Sequence, residues 1–228
     1  MKVLTLDVGN TSVDVCLFER ELRYIGKFEH DKVPYIEADL VLVSSVRPSA
    51  EAYIRERYPK ARFIRAKDVP LEVAFEGKEK VGVDRLLNLY GAVSFYNKDV
   101  VVVSAGTALV VDLAIDGIFQ GGFITLGIGS GLECLSKKAE LIPKIDLRSI
   151  RVSIGRNTEE AILGGFINQA RTFILKCLED WQEAYKRSLK LIITGGDGWI
   201  FEDLGVYDPL LIHRGMVLLS PFWTNRLL

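Results

Sequence analysis

Cysteine and histidine are scarce in this chain of 228 residues. Its three cysteines, Cys16, Cys134 and Cys177, are widely separated and lack the paired spacing of metal ligands. Such a sparse, odd set predicts reduced thiols and a cytoplasmic protein. The two histidines, His30 and His213, lie outside any pattern typical of a metal site or a catalytic triad. We therefore interpret both as structural or solvated residues.

Long apolar runs and clusters of one charge are also lacking. No apolar run approaches the roughly 18 residues of a membrane span, and Asp7 and Asn10 interrupt the N-terminal stretch, which argues against a signal peptide. The 29 basic and 30 acidic residues nearly cancel, and no long run of lysine or arginine occurs. A basic surface for nucleic acid is not expected. These features predict a soluble protein that binds neither membranes nor nucleic acid.

The sequence does contain a repeat, which links residues 3–11 with residues 100–108. Each copy is an apolar run, a small turn with a glycine and a hydroxyl or amide side chain, and then a second apolar run. Backbone at such a glycine can approach a ligand closely, and successive N–H groups there can bind a phosphate. Two such hairpins predict a nucleotide cleft between two related halves. The acid Asp7 of the first copy is replaced by Ser104 in the second.

The arrangement of strands and helices predicts an α/β fold of two similar lobes. We place the N-terminal lobe at residues 1–98 and the C-terminal lobe at 99–228, each with one phosphate loop. This fold resembles the actin, sugar-kinase and chaperone-ATPase superfamily, whose lobes each contain a ribonuclease-H-like core. The predicted strands are three within 2–29, then 39–44, 62–66, 99–104, 107–115, 117–125 and 191–194. The predicted helices are 50–58, 82–97, 128–140, 157–180 and 214–226.

Two segments carry candidate phosphoryl-transfer chemistry. In the first, Asp7 would hold a hydrated Mg²⁺, and Gly9, Asn10 and Thr11 would donate to phosphates, although Gly-Asn also suits a simple hairpin turn. In the second, Gly82–Arg85, Asp84 could be a base that orients an attacking hydroxyl and Arg85 a clamp for a carboxylate or phosphate. An ordinary helix start is the alternative, because an aspartate in the first turn suits the helix dipole.

Three further glycine-containing segments have structural alternatives. Residues 121–122 and 127–131 could pack closely on a phosphate or another subunit, or form a mobile loop. At 155–158, Asn157 or Thr158 would cap a helix, and Thr158 could also bind a ligand. Residues 195–197 follow a buried strand and could stack against a nucleotide base.

Taken together and in order, these motifs resemble those of the type III pantothenate kinases, over nearly the whole chain. The matching segments are Asp-x-Gly-Asn-Thr at 7–11, Gly-x-Asp-Arg at 82–85, Gly-Thr-Ala at 106–108 followed by Asp112, Gly-Gly-x-Ile at 121–124, Gly-x-x-Thr at 155–158 and Gly-Gly-Asp at 195–197.

The resemblance implies ATP-dependent phosphorylation of pantothenate, the first step of coenzyme A synthesis, with Asp84 as proton acceptor. It implies a homodimer whose interface helps to form the pantothenate site, and K⁺ or NH₄⁺ beside Mg²⁺. The implied ATP-binding residues are Asp7, Val8, Gly9, Asn10, Thr11, Ser12, Val13, Asp14 and Thr107. The implied pantothenate-binding residues are Phe75, Gly82, Val83, Asp84, Arg85 and Thr158.

Four positions depart from the family pattern. Ser104 replaces the acid that usually binds the monovalent cation, so we predict a weak or absent K⁺ site. Phe75 replaces a tyrosine, Lys78 a proline and Leu126 a proline, the last of which predicts a less restrained loop. A catalytically weakened regulatory or binding homologue is therefore the alternative. A kinase for another small alcohol is disfavoured because Gly82–Arg85 is intact.

Overall fold

The computed structural model describes residues 1–148 and 153–221, which fold into two compact units. The first unit comprises residues 1–98, 117–119 and 210–221, and the second comprises 99–116 and the described part of 120–209. Within the described ranges, no helix is both long and apolar enough to cross a membrane.

The first unit is built on a five-stranded mixed sheet of order β3-β2-β1-β4-β5. An antiparallel meander forms one side, as predicted, and β4 and β5 continue the sheet in parallel from β1. The strands of this sheet are β1 (Val3–Val8), β2 (Val13–Phe18), β3 (Leu22–Phe28), β4 (Leu40–Ser45) and β5 (Arg62–Phe63). The helices of this unit are α1 (Glu51–Arg57), α2 (Val83–Phe95) and α5 (Leu211–Leu218).

Helices α2 and α5 pack against each other through glycines. A Cβ at Gly215 would overlap the carbonyl oxygen of Leu87, and one at Gly91 would lie 2.9 Å from the carbonyl oxygen of Leu211. Only glycine permits this approach of the two backbones. The packing explains why residues 210–221 join the first unit, whereas the sequence-based division placed 99–228 together.

The second unit repeats the plan with a sheet of order β10-β9-β6-β7-β8. An antiparallel hairpin, β6 with β7, again has a parallel neighbour, β9, beside its first strand. The strands are β6 (Val100–Ala105), β7 (Ala108–Ile115), β8 (Ile118–Leu126), β9 (Lys190–Thr194) and β10 (Val206–Tyr207), and the helices are α3 (Ile128–Lys138) and α4 (Thr158–Tyr185). The predicted α/β fold of two related halves is confirmed.

Several element boundaries differ from the predictions. The strand predicted at 62–66 contains only Arg62–Phe63, and the helix predicted at 157–180 continues to Tyr185. The last helix is Leu211–Leu218 rather than 214–226, and positions 222–226 of that prediction lie outside the described residues. Its N-cap, Leu210, makes no side-chain capping hydrogen bond, so the sequence contains no signal for where this helix begins.

Candidate active site

The turn between β1 and β2 is held from outside by two side chains. His30 Nε2 lies 2.9 Å from the carbonyl oxygen of Gly9, and because a carbonyl only accepts, Nε2 carries the hydrogen and donates. A guanidinium nitrogen of Arg47 donates to the carbonyl oxygen of Asn10. The C=O and N–H of one trans peptide unit point in opposite directions. The N–H groups of Asn10 and Thr11 therefore point away from His30 and Arg47.

Three carboxyl groups influence one another near this turn. Asp7 is opposite Asp14 in the β1–β2 register. Burial raises the pKa of Asp7 to about 7, with further contributions from the negative charges of Asp84 and Asp14. Asp14 itself accepts a hydrogen bond of 2.9 Å from the Tyr24 hydroxyl and lies 3.5 Å from Lys27 Nζ. This end of β1 thus favours a bound proton or cation at Asp7.

The donor set at this turn fits a hard divalent ion that retains other ligands. Among the described residues, no group of three or more His, Cys, Asp or Glu side chains is arranged to hold a metal. Mg²⁺ commonly binds one or two carboxylates and takes its remaining ligands from water and substrate phosphates. Asp7, a carboxylate whose charge is opposed by its surroundings, matches that requirement.

Gly82–Arg85 forms the start of α2, with Gly82 as the N-cap. A Cβ on Gly82 would lie 2.5 Å from Oδ1 of Asp84. The Asp84 carboxyl group therefore occupies the space that a side chain at position 82 would need. Backbone N–H groups of Asp84 and Arg85 donate to this carboxylate, which lowers its pKa, but burial outweighs them and the pKa is raised. Asp84 therefore accepts hydrogen bonds within the first turn of α2 and still has the raised pKa that suits a proton acceptor.

Phe75 and Arg85 both contact Phe119. The rings of Phe75 and Phe119 meet edge to face with centroids 5.3 Å apart, and the Arg85 guanidinium carbon is 5.3 Å from the Phe119 centroid. Lys78, in place of the family's proline, donates from Nζ to the carbonyl oxygen of Val69 at 2.6 Å. A side-chain hydrogen bond therefore restrains the loop where a proline ring would have done so.

The second turn, between β6 and β7, is one residue shorter than the first. Four residues separate the paired Val8 and Val13, whereas three separate the paired Ala105 and Leu109. The exposed Thr107 lies at its tip, and its carbonyl oxygen accepts from the Gly127 N–H at 3.0 Å and from the Ser130 hydroxyl at 2.9 Å.

Backbone contacts hold this second turn. A Cβ on Gly127 would overlap the carbonyl oxygen of Gly106. Gly195 has a φ of +90°, and a Cβ there would overlap the carbonyl oxygen of Ala105. The exposed Leu126 is followed by Gly127, whose N–H is hydrogen-bonded to the carbonyl oxygen of Thr107. The less restrained loop that Leu126 predicts therefore does not include Gly127. Most of the 127–131 segment is the first turn of α3 rather than a loop.

Ser104 occupies the position in β6 that Asp7 occupies in β1. It is half-buried, opposite Val110 of β7 and Thr194 of β9, so its two strand partners are uncharged. A neutral hydroxyl is a much poorer cation ligand than a carboxylate. The buried Asp112 of β7 lies beneath Gly122, where a Cβ would collide with its carboxyl oxygen.

The start of α4 resolves the two predicted capping roles. Asn157 is the N-cap, and its Oδ1 accepts from the Glu160 N–H at 2.9 Å. The Glu160 carboxylate in turn accepts from the Arg156 N–H at 3.0 Å. The backbone N–H groups of Arg156 and Glu160 thus both have side-chain acceptors at the start of the helix. Thr158 is the first helical residue, exposed, and its hydroxyl is not the capping group.

The predicted site residues are divided between the two units. The first unit contains Phe75 together with 7–14 and 82–85, and the second contains Ser104, Thr107 and Thr158. Sequence reasoning overlooked the contacts of His30, Arg47 and Phe119, because each acts on a residue distant in the sequence. His213 is buried: its Nδ1 is 2.8 Å from the Thr5 hydroxyl, and burial lowers its pKa to about 3.

Solved structures of other proteins share this architecture. A Campylobacter jejuni structure described as a Baf family transcriptional activator is 21% identical, with a TM-score of 0.71 over 97% of this chain and 99% of that one. MreB 5 of Spiroplasma citri bound to AMPPNP gives a TM-score of 0.51 at 9% identity, over 99% of this chain and 98% of that one. The fold is that of the actin, sugar-kinase and chaperone-ATPase superfamily.

Sequence comparison identifies the family within that class. The family model for type III pantothenate kinase matches residues 25–180. The type III pantothenate kinase of Aquifex aeolicus is 42% identical over 222 residues, which cover 95% of this chain and 96% of that protein. The corresponding enzyme of Kosmotoga olearia is 30% identical over 90% of this chain and 73% of its own length. The chain belongs to the type III pantothenate kinase family.

The Asp7 environment predicts a pH-dependent stability in the ligand-free protein. Because the folded-state pKa of Asp7 is raised from 3.8 to about 7, the native state binds a proton that the unfolded state releases, and stability falls as pH rises through this window. We expect Asp7→Asn to remove this loss, raising the free energy of unfolding by roughly 2–4 kcal/mol above pH 7. Urea denaturation of both proteins between pH 4.5 and 8.5 measures the free energy of unfolding at each pH.

Asp146→Asn is the control, because Asp146 is an exposed aspartate. Its pH dependence should match that of the wild type. Identical pH dependence in Asp7→Asn and wild type would show that the pKa of Asp7 is not raised in the folded protein.

Proposed function

We propose that this protein transfers the γ-phosphate of ATP to the terminal hydroxyl of pantothenate, which forms 4'-phosphopantothenate in the first step of coenzyme A biosynthesis. The observation that carries the proposal is the arrangement in the first unit: a constrained turn beside Asp7, with Asp84 electrostatically coupled to Asp7 from the start of α2. Family membership supplies the substrate class. We also propose a cytoplasmic location, where ATP is available and the exposed Cys134 stays reduced.

ATP phosphates would bind at the two turns, through residues 7–14 in the first unit and Thr107 in the second. The outward carbonyls of Gly9 and Asn10 are already occupied by His30 and Arg47, so the N–H groups of Asn10 and Thr11 are set in direction before a ligand arrives. Asp7 would hold Mg²⁺, which neutralises phosphate charge when bound. Binding at Asp7 also relieves the repulsion from Asp84 and Asp14.

Pantothenate would bind to Phe75, Gly82, Val83, Asp84, Arg85 and Thr158. Arg85 would pair with the pantothenate carboxylate, since a guanidinium forms two parallel hydrogen bonds with a carboxylate. Asp84 would accept the proton of the attacking hydroxyl, for which its raised pKa is suited. Most of the rate enhancement would come from positioning and charge stabilisation, as in other phosphoryl transfers.

Replacing Asp84 by Asn is expected to lower kcat by about 10²–10⁴-fold, because the general base is lost while the shape of the side chain is retained. ATP binding should be retained, and the melting temperature should be no lower than that of the wild type, because the neutral amide avoids the cost of burying a charge. A coupled assay with ATP, Mg²⁺ and pantothenate measures the rate. Glu79→Gln, at an exposed carboxylate of the same unit, is the control and should keep wild-type turnover.

Near-wild-type turnover of Asp84→Asn would overturn the assignment of the base. The same assay tests the alternative of a weakened regulatory homologue, which Ser104 and Leu126 motivate. Binding of ATP and pantothenate to the wild-type protein without product would favour that alternative over a kinase.

We propose that the monovalent-cation site is weak or absent, because Ser104 provides a hydroxyl where the family pattern has an acid. Turnover of the wild type should be the same, within about twofold, whether K⁺, NH₄⁺ or a bulky organic cation balances the buffer. Ser104→Asp is expected to introduce stimulation by K⁺ or NH₄⁺, since a carboxylate restores an anionic oxygen ligand. Ser104→Asn, which is similar in size but uncharged, should not do so. Strong K⁺ stimulation of the wild type would refute this reading.

A homodimer is also proposed, on the basis of an exposed apolar surface in the second unit. Phe123, Ile124 and Leu126 of β8 are 52%, 61% and 56% exposed, and β8 is an outer strand of its sheet. Phe123 stacks on Trp181 of α4 with centroids 5.8 Å apart, which extends the surface onto the helix. Exposed apolar side chains along an outer strand are typical of a subunit interface.

Sedimentation of the wild type should give twice the chain mass of 25.5 kDa. Ile124→Lys is expected to shift the protein to a monomer, because it places a charge in the buried interface. Leu141→Lys is the matched control, since Leu141 is 95% exposed and lies outside the surface on β8 and α4. A wild-type monomer, or equal dissociation of both variants, would contradict the proposed interface.

A further inference from the structure

Phe119 is a fully buried aromatic residue in β8 that the substrate motifs do not include. Its backbone pairs with the segment that leads to Phe75. The Phe119 N–H donates to the carbonyl oxygen of Glu72 at 2.9 Å, and the carbonyl oxygen of Phe119 accepts from the Ala74 N–H at 2.9 Å. Residues 117–119 belong to the first unit, as does the whole of this segment. These two backbone hydrogen bonds hold Phe119 in place relative to the segment that leads to Phe75.

The ring contacts two predicted pantothenate residues at once. Arg85 places its guanidinium 5.3 Å from the ring centroid, within cation–π range, and Phe75 meets the ring edge to face at 5.3 Å. Phe119 has no exposed surface, whereas Phe75 is 39% exposed and Arg85 is half-buried. The buried ring therefore contacts two side chains that are themselves partly exposed.

We propose that Phe119 is a positioning residue for pantothenate, which orients Arg85 toward the substrate carboxylate and holds Phe75 beside it. This inference rests on the proposed function, because it requires Arg85 and Phe75 to contact pantothenate. Arginine loses considerable side-chain freedom when it binds a carboxylate in a fixed geometry. A guanidinium already held over an aromatic face loses less of it on binding.

Phe119→Leu removes the aromatic face and keeps an apolar side chain. We expect the Kd and KM for pantothenate to rise about 3- to 10-fold, the cost of ordering one further long side chain on binding. The KM for ATP and the kcat at saturating pantothenate should stay within about twofold. Calorimetry for binding and steady-state kinetics for turnover provide the measurements. If Phe119→Leu does not fold, Phe119→Met keeps more of the side-chain volume and tests the same prediction.

Two comparisons separate positioning from a general effect on packing. Phe201→Leu is the matched control, because Phe201 is also fully buried but lies in the second unit. It should reduce stability without changing the KM for pantothenate. The second comparison uses pantothenyl alcohol, which lacks the carboxylate. The preference of the wild type for pantothenate over the alcohol should shrink in Phe119→Leu, because the part of the loss that acts through Arg85 affects only the ligand with a carboxylate.

A double-mutant cycle with Arg85→Gln tests the route of the effect. In the Arg85→Gln background, Phe119→Leu should weaken pantothenate binding by much less than in the wild type, because the group it positions is already gone. An unchanged pantothenate KM in Phe119→Leu, or equal losses for pantothenate and the alcohol, would overturn the positioning role while leaving the kinase function intact. Failure of the wild type to bind or phosphorylate pantothenate would instead overturn the proposed function.

Discussion

Burial of the Asp7 carboxyl group, reinforced by repulsion from two neighbouring carboxylates, is the constraint on which the first unit's site depends. Asp7 and Asp14 are opposed across two strands, and Asp84 adds its charge from the start of α2. Asp14 has its own partners, the Tyr24 hydroxyl and Lys27. Asp7 is left with a pKa near 7, so at neutral pH it is poised between holding a proton and holding a cation. A cation bound at Asp7 would offset this negative charge.

The environment of Asp84 is compatible with both interpretations of this residue, as an ordinary first-turn aspartate and as a proton acceptor. Its carboxylate accepts backbone N–H groups at the helix start, as an ordinary first-turn aspartate does. Burial nevertheless raises its pKa, and the missing Cβ of Gly82 makes the space for it. The structural and the chemical roles are therefore compatible, and the glycine is needed for both.

Much of the fold could be predicted because its signals are local. Apolar runs separated by short turns identified the β1–β3 meander, glycine turns marked the repeat of β1–β2 in β6–β7, and the cap candidates Asn157 and Thr158 marked the start of α4. The start of α5 could not be located, since Leu210 and its neighbours carry no capping side chain, and β10 has only the two residues Val206–Tyr207.

Long-range contacts at the candidate site were beyond the reach of sequence patterns. His30 looked like an isolated histidine, yet it donates to the carbonyl of Gly9, 21 positions earlier. Phe119 looked like one apolar residue in a strand, and its contact with Arg85 depends on how the strand and α2 fold together. No spacing rule connects residues that meet only through the tertiary structure.

The two glycine turns differ in how freely each could be altered by mutation. Side chains outside the first turn, His30 and Arg47, set its carbonyls, so substitutions at those positions can adjust the turn without changing its own residues. The second turn rests on the backbone of Gly127 and Gly195, where any added Cβ collides with main-chain oxygen. The conformation of the first turn can therefore be changed by graded substitutions outside it, whereas the second turn leaves almost no such freedom.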